Sequence, residues 1–362
     1  MEGVFQIPVL GEILEFVAYL VGLVVQTDLG RISLALATPI ALGALCGIMN
    51  ERSGVVNIGI EGMMLASAFV GFFAAAIVSE KLAGQPWPIF GATPALLVGV
   101  AVAVATGMLV STLHAWLSIS IRADQIISGT IINILALGLT SYLNRLLSVS
   151  NASAGSFETF RPPSVLSDLP AIGWIFRMLL AQGPITLSVI VLMIVMQVLL
   201  FRSRWGLRTR AVGEHPKAAD TVGIDVIRTR YRNVILGGAF AGLAGAFLTL
   251  EYGSSFQNGM TAGTGFIALA AVIVGRWTPV GAFAAAMLFG FSGQLGVALR
   301  SDPPPGGIGE YLVGIQQSYP SLYNNFFAAL PYVLTIVILA GVVGRSIPPA
   351  AVGRPYQKEA TA

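Results

Sequence analysis

The feature that most constrains this chain is where its charges are missing. Nine windows without Asp, Glu, Lys or Arg run 32–50, 62–79, 82–121, 125–144, 178–201, 233–250, 252–275, 277–299 and 311–344. Each has at least 18 residues, the length a helix needs to cross hydrocarbon. Backbone groups in lipid must be satisfied within the spanning structure, so only helices and closed barrels qualify. Barrel strands alternate over roughly ten residues, whereas these windows are apolar all round. Only 10% of the residues are charged, against about 25% in a soluble domain, so part of the solvent is lipid. The expected fold is all-α, a polytopic membrane helix bundle with about nine or ten transmembrane helices. Residues 9–25, apolar but carrying Glu12 and Glu15, give either a tenth, weaker span or a helix lying at the interface. Met1–Leu10 has no Lys or Arg and so lacks the basic start of a signal peptide.

Alternating the windows across the membrane places 14 of the 20 Lys and Arg on one side. They are Arg52, Arg122, eight between Arg202 and Arg232, Arg276, Arg345, Arg354 and Lys358. The positive-inside rule makes that side cytoplasmic. The basic cluster then reads as a cytoplasmic loop, not a nucleic-acid site. The chain divides into an N-terminal helix at 1–30, a transmembrane domain at 31–345 holding the loop 202–232, and a cytoplasmic tail at 346–362. Spans are expected near 31–49, 59–79, 92–118, 125–147, 184–201, 233–252, 263–276, 280–299 and 326–344. Two long loops, 148–183 and 300–325, face outside; the second carries Pro303, Pro304, Pro305, Gly306 and Gly307. Small residues four apart, Gly43 with Gly47 and Gly238 with Gly242, suit close helix packing in lipid.

Several chemistries lack their residues. A P-loop needs Gly-Lys-Ser/Thr, but Lys81, Lys217 and Lys358 follow Glu80, Pro216 and Gln357. ATP, with its Mg, must then be bound by another chain. Gly290-Phe291-Ser292-Gly293 resembles the nucleophile motif of rhomboid-type serine proteases, and His114 is an intramembrane histidine. The order is wrong for that family, since here the histidine precedes the serine. A single cysteine, Cys46, and two histidines 101 residues apart give no zinc spacing. An ion-coupled carrier usually needs ionisable groups at mid-membrane; here Glu51, Glu61, Glu251 and Arg276 stand at span ends. No catalytic residues, cofactor or metal are expected in this chain.

The loop 202–232 is the most informative stretch. Pro216 suits the first position of a helix and Gly223 its end, leaving about two turns between them. Ala218, Ala219 and Val222 then share one face. So short a helix is unstable alone and must dock on something. The run Lys217-Ala218-Ala219-Asp220-Thr221-Val222-Gly223 resembles the Glu-Ala-Ala-x-x-x-Gly signature of ABC importer permeases, with Lys217 in place of the glutamate. The stretch from Trp205-Gly206-Leu207-Arg208 to Arg228-Thr229-Arg230-Tyr231 is similar to the ribose and branched-chain amino-acid permease superfamily. Its nearest likeness is to the nucleoside and simple-sugar members. Two more stretches agree, Asn50-Glu51-Arg52-Ser53-Gly54-Val55-Val56-Asn57-Ile58-Gly59-Ile60-Glu61-Gly62-Met63-Met64 and Thr261–Trp277.

What the resemblance implies is a channel-forming permease of an ABC importer for a small polar solute. Nucleosides come first, ribose-type sugars second and branched-chain amino acids third. It further implies an ATPase docked on Glu214, Pro216, Ala218, Ala219, Val222 and Gly223. A second permease, making a heterodimer, and an extracytoplasmic solute-binding protein complete the set, in the inner or plasma membrane with a cytoplasmic C-terminus. Asn57 and Glu61 follow a helix break, and broken backbone at membrane depth is tolerated where protein buries it or it lines a cavity. They are expected in the pathway or as a structural re-entrant turn. Phe266 is expected either to stack on a base or sugar or to pack within its span.

Overall fold

A computed structural model describes residues 8–26, 29–81, 90–148, 152–167, 169, 172–301, 307–341 and 346–358. Pro303–Gly306, Pro170, Arg345 and the last residues of the tail lie outside the described residues. Among the described residues the secondary structure is helical throughout, in the order α1 Pro8–Gln26, α2 Leu29–Glu51, α3 Ile60–Lys81, α4 Pro94–Ala115, α5 Gln125–Leu147, α6 Ser164–Ser167, α7 Gly173–Leu180, α8 Pro184–Arg202, α9 Arg204–Glu214, α10 Pro216–Thr221, α11 Val226–Ala246, α12 Thr264–Val274, α13 Pro279–Ser301, α14 Gly307–Ser318 and α15 Pro320–Gly341. Seven are long and apolar enough to cross a membrane. They are α2, α3, α4, α5, α8, α11 and α13, with α4 extended through a π-helical turn to Ser120 and α11 to Tyr252. Helices α1 and α15, of 19 and 22 residues, are not among the seven. The polytopic all-helical bundle is as expected.

The chain forms two compact units. One holds α1, the start of α2, α6, α7, the end of α13, α14 and α15. Its apolar centre gathers Leu299, Tyr323 and Phe327 against Tyr19, Leu295, Leu312 and Leu330. Tyr323 donates to the Leu299 carbonyl at 3.0 Å, so the one polar tip buried there is satisfied.

The other unit holds the rest of the chain from Thr38 and is built on α3, α4 and α11 packed mutually. Close approach explains the glycines there. A Cβ on Gly107 of α4 would lie 2.2 Å from the Gly238 carbonyl of α11 and 2.7 Å from the Gly242 nitrogen. Only hydrogen side chains let these backbones touch, and in lipid such contact replaces the hydrophobic drive. Helix starts are set by ordinary capping. Thr93 caps α4 ahead of Pro94, and Asp124 caps α5 through the Ile126 and Ile127 amides.

Four boundaries correct the sequence reading. The span expected to begin at 233 begins at Val226, because the Asp225 carboxylate caps Arg228 N at 2.9 Å. Arg228, Arg230 and Arg232 therefore lie on a helix, not in a loop. Helix α9, absent from the expectation, starts where Ser203 caps Gly206 N. Helix α15 starts at Pro320 rather than 326. The expected span 263–276 is a helix of 11 residues, about 16 Å long and so about half a bilayer. Residues 253–263 before it are non-helical, rich in Gly, Ser, Asn and Gln. Their lack of charge had disguised them as hydrocarbon-spanning sequence.

Candidate functional site

Everything singled out in the sequence for coupling and passage lies in the second unit, at two places. The first is the face that carries α10. Helix α10 occupies Pro216–Thr221 with Pro216 at its start, as the Pro-to-Gly spacing predicts. It ends at Gly223, whose φ of +82° is the left-handed C-terminal turn. Ile224 N bonds back to Ala219 O at 3.0 Å, and Gly223 N to Asp220 O at 2.9 Å. This closure needs a residue that accepts positive φ, and Gly accepts it without steric cost.

The predicted common face of Ala218, Ala219 and Val222 is corrected at its centre. Ala219 is 3% exposed and packs on Val212, Val226 and Tyr356. Val222 is 75% exposed and Ala218 is exposed beside it. Positions i and i+1 of a six-residue helix lie 100° apart, and the body of the protein takes one of them. Glu214 is half exposed, with Oε1 4.0 Å from Arg52 Nη1 and Oε2 accepting from Ala350 N at 3.1 Å. Burial lowers the pKa of Arg52 from its ordinary value, Glu214 partly restores it and Arg210 lowers it further. Its Nε donates to the Trp277 carbonyl, so one residue ties the α2–α3 turn to both α9 and the α12–α13 corner.

The described part of the tail, residues 346–358, is laid across this face. Ala351 N donates to Gly213 O at 2.9 Å, and Gly353 N to Gly54 O at 3.3 Å. Ser346 Oγ donates to Ile273 O at 2.8 Å. Arg230 is the pin. It is 1% exposed, and its Nε and Nη1 donate to Ser53 O at 3.1 Å and Arg354 O at 2.9 Å. Tyr356 completes the cluster under Ala219. Sequence reasoning missed Tyr356, for which an aromatic in a charged tail was the only signal, and held Arg230 within the permease-like stretch without its role as a buried pin.

The second place is the chain reversal between α2 and α3. Val56 is clamped on both sides. Its N–H donates to Gln125 Oε1 at 2.7 Å and its carbonyl accepts from His114 Nε2 at 2.9 Å. His114 Nδ1 then accepts from Ser128 Oγ at 3.0 Å, which a neutral imidazole satisfies. Both ring nitrogens are thus committed, and His114 is no base for Ser292. Asn57, proposed for the pathway, is fully buried. Its Oδ1 accepts from Gly59 N at 3.0 Å, a bond across the turn between α2 and α3.

Glu61 opens α3 and bridges to α12. Its Oε1 accepts from Gly263 N at 2.8 Å and its Oε2 from Gly265 N at 2.6 Å. The carboxylate caps the half-helix α12 from outside, where unpaired N–H groups and the helix dipole favour negative charge. Glu251 does the same for α8, accepting from the Ile185 and Thr186 amides. Glu51 accepts from Trp277 Nε1. Each span-end carboxylate holds protein donors. Phe266, in the first turn of α12, is 48% exposed. Gln257 and Asn258 of the irregular segment are exposed, and Asn144 Nδ2 donates to Asn258 Oδ1 at 2.9 Å.

Residues 31–339 match the model of the family described as branched-chain amino acid transport system / permease component. The chain belongs to this family. It is 38% identical to a guanosine ABC transporter permease of Bacillus subtilis over 90% of this chain and 95% of that one. It is 35% identical to a nucleoside ABC transporter permease of Lactococcus lactis, over 89% and 94%. A putative glucose ABC transporter permease of Haloferax volcanii is 34% identical over 89% and 95%. No solved structure matches it. With seven candidate spans, the chain is a multi-pass membrane permease of the ABC type.

Proposed function

We propose that this permease carries nucleosides inward through the cytoplasmic membrane, powered by an ATPase on a separate chain that binds ATP and Mg. The observation that carries the solute is the pair of nucleoside-type relatives aligned over nine-tenths of the chain. The candidate pathway agrees in chemistry, offering an aromatic ring at Phe266 and amides at Gln257 and Asn258. An uncharged base and sugar need stacking and hydrogen bonds, not a counter-ion. The ATPase docks on Glu214, Pro216, Ala218, Val222 and Gly223, with Ala219 supporting them from beneath. A second permease, making a heterodimer, and an extracytoplasmic solute-binding protein complete the importer, and the C-terminus is cytoplasmic.

The putative glucose relative favours a second reading, a simple sugar as solute. Uptake of labelled guanosine into proteoliposomes carrying the whole importer separates the two. Excess unlabelled adenosine or inosine should compete, and glucose or ribose should not. Glucose uptake without nucleoside uptake would replace the first reading by the second.

A further inference from the structure

Away from the tail, α9 and α11 enclose a groove of about 510 Å³ lined by Trp205, Arg208, Asp225, Arg228, Thr229 and Arg232 together with the Gly223–Ile224 turn. Its charges are one-sided. Arg208, Arg228 and Arg232 are all exposed, and none of the three makes an ion pair among the described residues. The single acid, Asp225, has an oxygen bound to the Arg228 amide as the α11 cap. Trp205 Nε1 is buried and has no hydrogen-bond partner. Three guanidiniums line one concavity that offers them almost no acceptor.

The surroundings say which anion it takes. Arg228, Arg232 and Leu236 follow at i, i+4 and i+8, one stripe of α11, and Leu236 is 37% exposed. The stripe therefore passes from cation to hydrocarbon in the order a phospholipid does. On α8, which leads into this corner, Val191, Ile194, Val195, Val198 and Leu199 are exposed in the same manner, the signature of a lipid-facing helix. Leu207 and Ile227, each next in sequence to a lining arginine, are 62% and 41% exposed. Tryptophan prefers the headgroup level of a bilayer, and arginine forks match phosphate oxygens.

We propose that this groove binds the headgroup of an anionic phospholipid from the cytoplasmic leaflet. The phosphate takes the Arg208, Arg228 and Arg232 forks, and the acyl chains run up the apolar faces of α8 and α11. The bound lipid fixes α9, and through it α10, to the membrane plane. The site depends on neither the solute nor the ATPase assignment.

The test is native mass spectrometry of the purified full chain in detergent, titrated with phosphatidylglycerol or phosphatidylcholine. Phosphatidylglycerol should bind in preference. R208Q/R228Q/R232Q should weaken it on the order of hundredfold, each arginine near an anionic leaflet contributing about fivefold. The charge-matched control R122Q/R202Q/R204Q alters exposed cations outside the groove and should retain tight binding. Thermal unfolding of every variant, without lipid, checks that the fold survives, and lysine in place of the three arginines provides a folded, charge-preserving series if glutamine does not. Equal binding of phosphatidylcholine, or equal losses in the two triple variants, overturns the proposal. So does displacement of the lipid by millimolar inorganic phosphate, which would make the site one for a free anion. Displacement by the ATPase subunit would assign the groove to protein docking and likewise overturn it.

Discussion

Ala219 and Val222 lie three residues apart on one short helix turn and answer to the same new charge in different ways. A carboxylate at Val222, 75% exposed, stays in water, so Val222→Asp should change stability by less than about 0.5 kcal/mol. It should still lower solute-stimulated ATP hydrolysis by about tenfold or more, as truncating an interface anchor does. A carboxylate at Ala219 is buried against Val212, Val226 and Tyr356. Ala219→Asp should cost about 2–4 kcal/mol, read as a lower melting temperature and less protein in the membrane. Normal coupling in a folded Val222→Asp protein would remove α10 as the docking helix. Glu61 offers a second residue-scale test. Glu61→Gln keeps one acceptor oxygen and turns the other into a donor facing Gly263 or Gly265. Losing one charge-assisted bond and opposing two donors should cost about 1.5–3 kcal/mol. Uptake should fall while the assembly with the ATPase persists, because α12 and not α10 is disturbed.

At the scale of elements, the tail is the part whose removal is most informative. Deleting residues 350–362 takes away the bonds to Gly213, Gly54 and Arg230 and the Tyr356 ring. Amide hydrogen exchange should rise in 52–57 and 213–224 and stay unchanged in α4. Solute-stimulated ATPase activity should fall, with basal ATPase binding retained in part through Val222 and Ala218. Unchanged exchange at 213–224 would mean that the tail only covers α10 and does not hold it. The long spans and α10 were legible because each announces itself locally, by an uncharged window or by Pro216 and Gly223. The half-helix α12 was not. Gln257, Asn258 and Thr261 carry no charge, so a charge-based window cannot tell them from hydrocarbon. Their structure is set by a distant partner, Glu61, about two hundred residues earlier in the chain by the separation at its bonds. The orientation of Ala219 was lost for the same reason, since Tyr356 lies far along the sequence and periodicity sees only neighbours. Asn57 shows the limit for sites. An amide next to glycines reads equally as a lining group or as a turn-former, because periodicity carries no burial.

At the scale of the whole molecule, the carboxylates and the missing P-loop bear on one question, where the driving force enters. Glu51, Glu61 and Glu251 each accept bonds from protein donors. A proton- or ion-coupled carrier needs a group that can exchange its partner during the cycle, and releasing any of these would uncap a helix or free a buried indole. The face that carries α10, by contrast, joins the α2–α3 reversal to the α12–α13 corner and the tail through Arg52 and Arg230, and α10 packs on that tail through Ala219 and Tyr356. Purified alone in vesicles, the chain should show no ATP hydrolysis and no uphill nucleoside uptake under a proton or sodium gradient. With the ATPase and the remaining subunits added, uptake should follow ATP and survive collapse of both gradients by ionophores. In that assembly His114→Leu should uncouple hydrolysis from uptake, because the Val56 carbonyl and the Ser128 hydroxyl lose their partner at a cost of about 1–3 kcal/mol. Gradient-driven uptake by the chain alone would move the engine back into the membrane and leave α10 without a task.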